Sequence, residues 1–347
     1  MSTTAAERAA MRRALDLAAS PGLPLGPNPR VGCVIVDDHG ETVAEGHHRG
    51  AGTPHAEADA LARAGARARG ATAVVTLEPC NHHGRTGPCA RALVGAGVRR
   101  VVYAQSDPNP AAAGGATTLR TAGIEVESGL LTVESGLLNR AWTFGIEHGR
   151  PFVTWKFATT LDGRSAAPDG TSRWVSSPAA RRDTHRLRGL CDVMLVGTNT
   201  VAVDDPLLTV RDERDRPLEH QPLRVVMGER DLDPRHRVFA QSSAGDAESL
   251  HLRTRDPQKA LAELFDRGRR HVFLEGGPTL AAAFLRAGLV DEIVVYLAPM
   301  LLGAGRSAVA DLGISTIAEA LRPRVTDITV LEGDEPNVRL TLVPGED

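Results

Sequence analysis

Two cysteines, Cys80 and Cys89, bracket the stretch TLEPCNHHGRTGPC at residues 76–89, and upstream TPHAEADAL sets His55 two positions before Glu57. Thiolate sulfur and neutral imidazole nitrogen are donors that suit zinc. A catalytic zinc site takes three protein ligands and keeps a fourth position for water, so His55, Cys80 and Cys89 complete one set. Zinc lowers the pKa of a bound water toward about 7. A carboxylate beside the metal but not on it can relay that water's proton, which gives Glu57 a catalytic role. Cys89 opens a helical pattern whose positive end favours its thiolate. His82 and His83 are also ligand types, but a set of two cysteines and these two histidines would close the site and leave His55 and Glu57 idle. They are expected around the ligands or against substrate.

The order H-x-E…P-C…C is that of zinc-dependent base deaminases. Their usual two-residue gap between the cysteines is here eight residues, NHHGRTGP, a loop expected to line the substrate pocket. Alone, a His-x-Glu is common at exposed helix starts and a cysteine pair is common in cores. Their joint order, in loops that lead from strand to helix, argues for chemistry.

The elements that must hold these residues alternate. Residues 5–19 read as a helix stopped by Pro21-Gly22, and VGCVIVDD with ETVAEG as a strand pair about the Asp38-His39-Gly40 turn. HAEADALARAGARA reads as helix, ATAVVTL as strand, CARALVGAG as helix, VRRVVYA as strand, GGATTLRTAG as a short helix and IEVES as strand. One helix is expected over 132–149. Gly149-Arg150-Pro151 then starts a second alternation: strands FVTWKFATT, DVMLVG and LRVVMG, helix PQKALAELFDRG, strand HVFLEGG, helix PTLAAAFLRAG and strand DEIVVYLAP. The boundary falls near 147–150, giving domains 1–147 and 148–347, both α/β. AQSSAGDAES, at 240–249, reads as a polar surface loop.

A length of 347 residues suits two domains, and a formal charge of −3 with dispersed Arg and Asp/Glu offers no basic face for nucleic acid. The amphipathic N-terminus lacks a signal-peptide core and no apolar run is long enough to cross a membrane, so a soluble, cytoplasmic protein with no membrane partner is expected. Four cysteines do not make a disulfide framework. Cys33 and Cys191, in apolar runs, read as buried inert thiols.

With these residues in place, the chain resembles the bifunctional riboflavin-biosynthesis deaminase/reductase family along nearly its whole length. The first half carries NPRVGCVIV, GHHRGAGTPHAE, VTLEPCNHHGRTGPC and DPNP. The second carries KFATTLDGRSA, SRWVSSPAARRDTHRLR, VGTNTVAVDDPLLTVR and EGGPTL. The resemblance implies a cytidine-deaminase-like three-layer domain followed by a dihydrofolate-reductase-like domain. It implies small-molecule phosphoribosylaminopyrimidine substrates: zinc-dependent deamination of a diamino-pyrimidinone bearing a phosphoribosylamino group, then NADPH reduction of its ribosyl group to ribityl. A homo-oligomer is expected.

Residue by residue, the resemblance puts Ala158, Trp174, Thr200 and Asp204 on the cofactor, with Gly277, Pro278, Thr279 and Leu280. No G-x-G-x-x-G occurs, so a Rossmann reading fails. In the implied fold, Glu275-Gly276-Gly277 ends a strand and lets a pyrophosphate approach the helix that begins near Pro278. Substrate positions by the same matching are Asn28, His48 and His82 in the deaminase half. In the reductase half they are Ser172, Arg188, Leu208, Arg211 and Glu275. Arg188 and Arg211 suit a ribose phosphate. Lys156, one of two lysines in the chain, is a further substrate candidate. VDDP reads as a turn, and Arg12-Arg13, Arg181-Arg182 and Arg269-Arg270 as solvated helix faces. The chain departs from the family at Gly87, where proline is usual, and in DPNPAAAGGA, which lacks a valine and one glycine. A base deaminase with a C-terminal binding module would need a basic face, and a reductase with a merely structural zinc domain would not need Glu57.

Overall fold

The structure is a computed structural model that describes residues 3–20, 22–23, 25–82, 87–240 and 248–345. His83, Pro21 and most of the expected 240–249 loop lie outside the described residues. The chain divides into two compact units, Met1–Gly149 and Arg150–Asp347.

The first unit opens with α1 (Ala5–Ala18), started by a capping box in which the Thr4 hydroxyl accepts the Glu7 N–H and the Glu7 carboxylate accepts the Thr4 N–H. There follow β1 (Gly32–Val36), β2 (Thr42–His47), α2 (Ala56–Ala64), β3 (Thr72–Leu77), α3 (Cys89–Ala96), β4 (Arg100–Gln105), α4 (Gly115–Thr121), β5 (Glu125–Ser128), α5 (Thr132–Leu138) and α6 (Arg140–His148). The sheet order is β2-β1-β3-β4-β5, with β1 antiparallel to β2 and β3, and β3, β4 and β5 parallel. Because side chains alternate along a strand, both faces of this sheet are apolar. Cys33, Ile35, Val75 and Val101 pack with Ala60 of α2 and Leu93 of α3. Val34, Val36, Val74 and Val102 pack with Ala10, Met11 and Ala14 of α1. Three layers result.

The stretch 132–149 is two helices rather than one. Asn139, buried between them, turns its amide onto the backbone of Arg30: Oδ1 accepts the Arg30 N–H and Nδ2 donates to the Arg30 carbonyl, both at 2.9 Å. A side chain able to satisfy another segment's backbone competes with helix continuation.

The second unit contains β6 (Phe152–Thr160), β7 (Arg164–Ala166), α7 (Pro178–Arg188), β8 (Val193–Gly197), α8 (Thr198–Asp204), β9 (Leu223–Met227), β10 (Ser249–Leu252), α9 (Pro257–Asp266), β11 (His271–Leu274), α10 (Pro278–Arg286), β12 (Glu292–Ala298), β13 (Arg306–Ser307), β14 (Arg324–Leu331) and β15 (Asn337–Val343). Its eight-stranded sheet runs β10-β9-β8-β11-β6-β12-β15-β14, parallel as far as β12 and antiparallel beyond. From β8 the chain moves outward to β9, whereas from β11 it crosses β6 to β12. The loops after β8 and β11 therefore part, and a crevice opens at the carboxyl ends of neighbouring strands. Cys33 and Cys191 are buried. Among the described residues, no helix is long and apolar enough to cross a membrane.

Candidate metal centre and cofactor cleft

In the first unit, three chain segments converge at the carboxyl end of β3. His55 is the N-cap of α2, Glu57 is its second residue, Cys80 lies three residues past β3, and Cys89 is the first residue of α3. His55 Nδ1 is 3.5 Å from Cys80 Sγ and 3.3 Å from Cys89 Sγ. The ligand atoms of all three residues lie within 4.8 Å of one another. The Cys89 N–H, at the amino end of α3, donates to Cys80 Sγ at 3.5 Å, so the helix start supports the other sulfur as well as its own. The hydrogen bond between the sulfurs, followed by that with His55, brings the Cys80 thiol down to about 4. The same sulfur–sulfur contact, with burial, pushes Cys89 up. The two sulfurs push each other's thiols in opposite directions, and a thiolate-binding cation would displace their protons.

Glu57 is 3% exposed, and burial raises its carboxyl to about 7, where gaining and losing a proton are both easy near neutrality. His48, edge-on to His55 with ring centroids 5.4 Å apart, donates from Nδ1 to the Pro54 carbonyl, so its Nε2 accepts from the Asn28 amide at 3.0 Å. Asn28 and His48 are thereby brought to the cluster; His82 is exposed in the loop after Cys80.

Residues that sequence reasoning passed over hold the ligand loop. Glu78, 8% exposed, accepts the N–H of Ala116 in α4 and the N–H of Asp107. Asn81 accepts from the Thr118 hydroxyl, and its N–H donates to the Ala112 carbonyl. Ala112, within the altered DPNPAAAGGA segment, packs on Cys80 and Cys89. Their adjacency to Cys80 in LEPCN was the available signal. Gly87 is exposed, with nothing within 4 Å of where a Cβ would stand.

In the second unit, the crevice between β8 and β11 widens into a cleft of about 1470 Å³. All eight residues matched to the cofactor line it, from Ala158 and Trp174 through Thr200 and Asp204 to the Gly277–Leu280 turn. Gly277 caps α10 and Pro278 is its first residue, so the helix start faces the cleft. Of the substrate candidates, Lys156, Ser172 and Glu275 line the cleft, whereas Arg188, Leu208 and Arg211 are not on its wall.

Arg188 is bound to Glu275 in bidentate fashion, Nε–Oε1 2.6 Å and Nη2–Oε2 2.8 Å, and donates to the Thr209 carbonyl. Burial pushes Glu275 up, but the Arg188 charge and hydrogen bonds, with Lys156, hold it at about 2. Burial lowers Lys156, whose Nζ sits 5.3 Å from the centroid of the Tyr296 ring. The Tyr296 hydroxyl donates to Asp183, which Arg339 also holds. Leu208 is a buried core side chain with φ 53°. Arg211 bonds Thr209 and an exposed carboxylate, Asp215.

Some surface expectations need correction. Arg181 stacks on the Trp174 ring, 4.2 Å from its centroid, and donates to the Ser176 carbonyl. Arg269 and Arg270 sit between α9 and β11, with Arg270 buried on backbone carbonyls. In the VDDP turn, Asp205 accepts the Arg237 N–H and contacts His236.

Residues 4–105 match the cytidine and deoxycytidylate deaminase zinc-binding region, and residues 151–335 match the RibD C-terminal domain. The chain is 50% identical over 319 residues to the riboflavin biosynthesis protein RibD of Mycobacterium tuberculosis H37Rv, covering 91% of each. The solved structure of Acinetobacter baumannii RibD superposes with a TM-score of 0.87 at 38% identity, covering 98% of this chain and 99% of that one. The Thermotoga maritima deaminase/reductase structure does so with 0.83 at 32% identity over the same shares. Fold and sites together define a zinc deaminase domain of the cytidine-deaminase type followed by a reductase domain of the dihydrofolate-reductase type. The chain belongs to the RibD family, the bifunctional deaminase/reductases of riboflavin biosynthesis, which use zinc in one domain and NADPH in the other.

Proposed function

We propose that His55, Cys80 and Cys89 hold the zinc and that Glu57 moves the protons of a hydrolytic deamination in a domain spanning 1–147. The observation that carries this reading is the convergence of one imidazole and two thiols within 4.8 Å, beside a carboxylate raised to about 7. The donor set fits zinc by number and softness. Zinc, when bound, makes its coordinated water acidic near neutrality. Glu57 takes one proton from water and passes it to the ring nitrogen as the water oxygen bonds the ring carbon, then carries the remaining hydroxyl proton to the amine, so that the C–N bond breaks, ammonia leaves and the oxygen stays on the ring carbon as a carbonyl. Asn28 and His48, locked to each other, orient the pyrimidine. His82 is offered from the rim.

In the domain spanning 148–347, the start of α10 with Gly277, Thr279 and Leu280 receives the pyrophosphate, and Ala158, Trp174, Thr200 and Asp204 line the rest of the cofactor path. NADPH supplies the electron pair that converts ribosyl to ribityl. Lys156, Ser172 and Glu275 meet the sugar from the cleft wall, with Arg188 fixing the Glu275 carboxylate and Leu208 shaping the adjoining loop. Arg211, held by the Thr209 hydroxyl and an exposed carboxylate rather than by a buried one, is the arginine able to turn to the substrate phosphate. The protein works in the cytoplasm as a homo-oligomer. A row of aliphatic side chains supports self-association: Val330 and Ile328 of β14 pair in register with Val338 and Leu340 of β15, and Ile328 is 65% exposed.

Elemental analysis of active protein tests the metal assignment, with about one zinc per chain expected. Active deaminase without zinc would overturn it.

A further inference from the structure

Six arginines line the cleft, and three of them already have partners. Arg255 Nε binds Glu229 at 3.0 Å, Arg173 donates to the Asp204 carbonyl, and Arg286 donates to the Asp311 carbonyl. Among the described residues, the side chains of Arg230, Arg237 and Arg306 have no such partner, and all three line the cleft. An uncommitted guanidinium on a ligand-sized cleft is built for an anion, and its fork matches phosphate oxygens.

Topology separates the three. Lys156 of β6 and Glu275 after β11 mark the end where the sugar, and so the nicotinamide, must lie. The α10 start and Thr200 mark the step between β11 and β8, where the pyrophosphate is expected. Next in strand order come β9 and β10. At a spacing of about 4.8 Å per strand, their tails lie roughly 5 to 10 Å beyond that step, on the side away from Lys156, where the adenosine half of an extended dinucleotide would run. Those tails are Gly228-Glu229-Arg230 and Thr254-Arg255. Gly228, at φ 139°, carries the β9 tail hard against α8: a Cβ there would lie 2.9 Å from Thr198 Cγ2. The wall is thus continuous from the pyrophosphate step to Arg230. On the neighbouring tail, Thr254 also lines the cleft, and its Oγ1 accepts the Asp256 N–H, leaving its own proton to donate. Arg306 lies on β13, paired with β7 beyond the end of β6, toward the opposite end. Arg237 belongs to the turn held by Asp205.

We propose that Arg230, with the Thr254 hydroxyl, reads the 2′-phosphate that distinguishes NADPH from NADH. The proposal rests on the cleft being the NADPH site. The test is equilibrium binding, by fluorescence titration or calorimetry, of NADPH, NADH and adenosine 2′,5′-bisphosphate to the full chain and to Arg230→Gln. The dissociation constants for NADPH and the bisphosphate should rise roughly tenfold to a hundredfold, the worth of a charge-assisted contact, while that for NADH stays where it was. NADH binding also reports that the variant is folded. Equal weakening of NADPH and NADH, or no weakening of NADPH, would overturn the assignment. So would loss of the NADPH preference in Arg237→Gln or Arg306→Gln in its place. If the unaltered protein bound none of the three nucleotides, the cleft reading itself would fall, and this inference with it.

Discussion

At the scale of single residues, the two halves of the chain use charge in opposite ways. Burial raises the Glu57 carboxyl to about 7, whereas Glu275, buried against Arg188, stays near 2. The first can exchange protons; the second is a fixed negative charge. The same contrast divides the two arginines expected on the phosphate. Arg188 is engaged on both edges, while Arg211 holds Asp215, a residue 75% exposed, and a pair of that kind is worth about 0 to 1 kcal/mol. We therefore predict that Arg211→Ala raises the reductase Michaelis constant for the phosphoribosyl substrate about tenfold to a hundredfold, with NADPH affinity unchanged. Steady-state kinetics with each substrate varied separately decides it, and a fall in NADPH affinity at constant sugar-substrate KM would move Arg211 to the cofactor. The coming together of His55, Glu57, Cys80 and Cys89, the proposed metal centre, was legible in the sequence because residue type, order and spacing carry their chemistry. The Arg188–Glu275 pair was not, since 87 residues separate its members and neither has a local pattern that names the other.

Elements place these residues through close backbone approaches more than through side-chain bulk. The start of α4 presses on the ligand loop at Gly115, where a Cβ would stand 1.7 Å from the Pro79 carbonyl oxygen, one residue before Cys80. Gly115→Ala should displace that loop and weaken zinc binding by about tenfold to a hundredfold, the range seen when groups supporting metal ligands are disturbed. Chelator competition measures it, and an unchanged zinc affinity would show that the loop tolerates the shift. Strands and helices of strong period were readable to within a few residues, as in β3 and α10. The break at Asn139 was not, because its cause is the distant backbone of Arg30. The β14–β15 hairpin went unread for another reason: RVTDITVL mixes charge with aliphatics and is largely exposed, so it lacks the apolar run that marks buried strands.

At the scale of the whole molecule, one chain carries two chemistries in series, and the first must supply the second with its substrate. Self-association is proposed from the aliphatic row on β14 and β15. Ile328→Lys should lower the mass seen by light scattering to that of one chain, and an unchanged mass would place the contact elsewhere. The central claim is that deamination at Glu57 precedes and feeds reduction. Its most direct measurement is mass analysis of products formed from the diamino substrate by the full chain and by Glu57→Gln, each with and without NADPH. The full chain should replace an amino group by oxygen without NADPH and add a pair of hydrogens when NADPH is present. Glu57→Gln should retain its zinc, lose deamination by about a hundredfold or more, and still reduce substrate that has already been deaminated. A Glu57→Gln protein that deaminates at the unaltered rate would contradict the account.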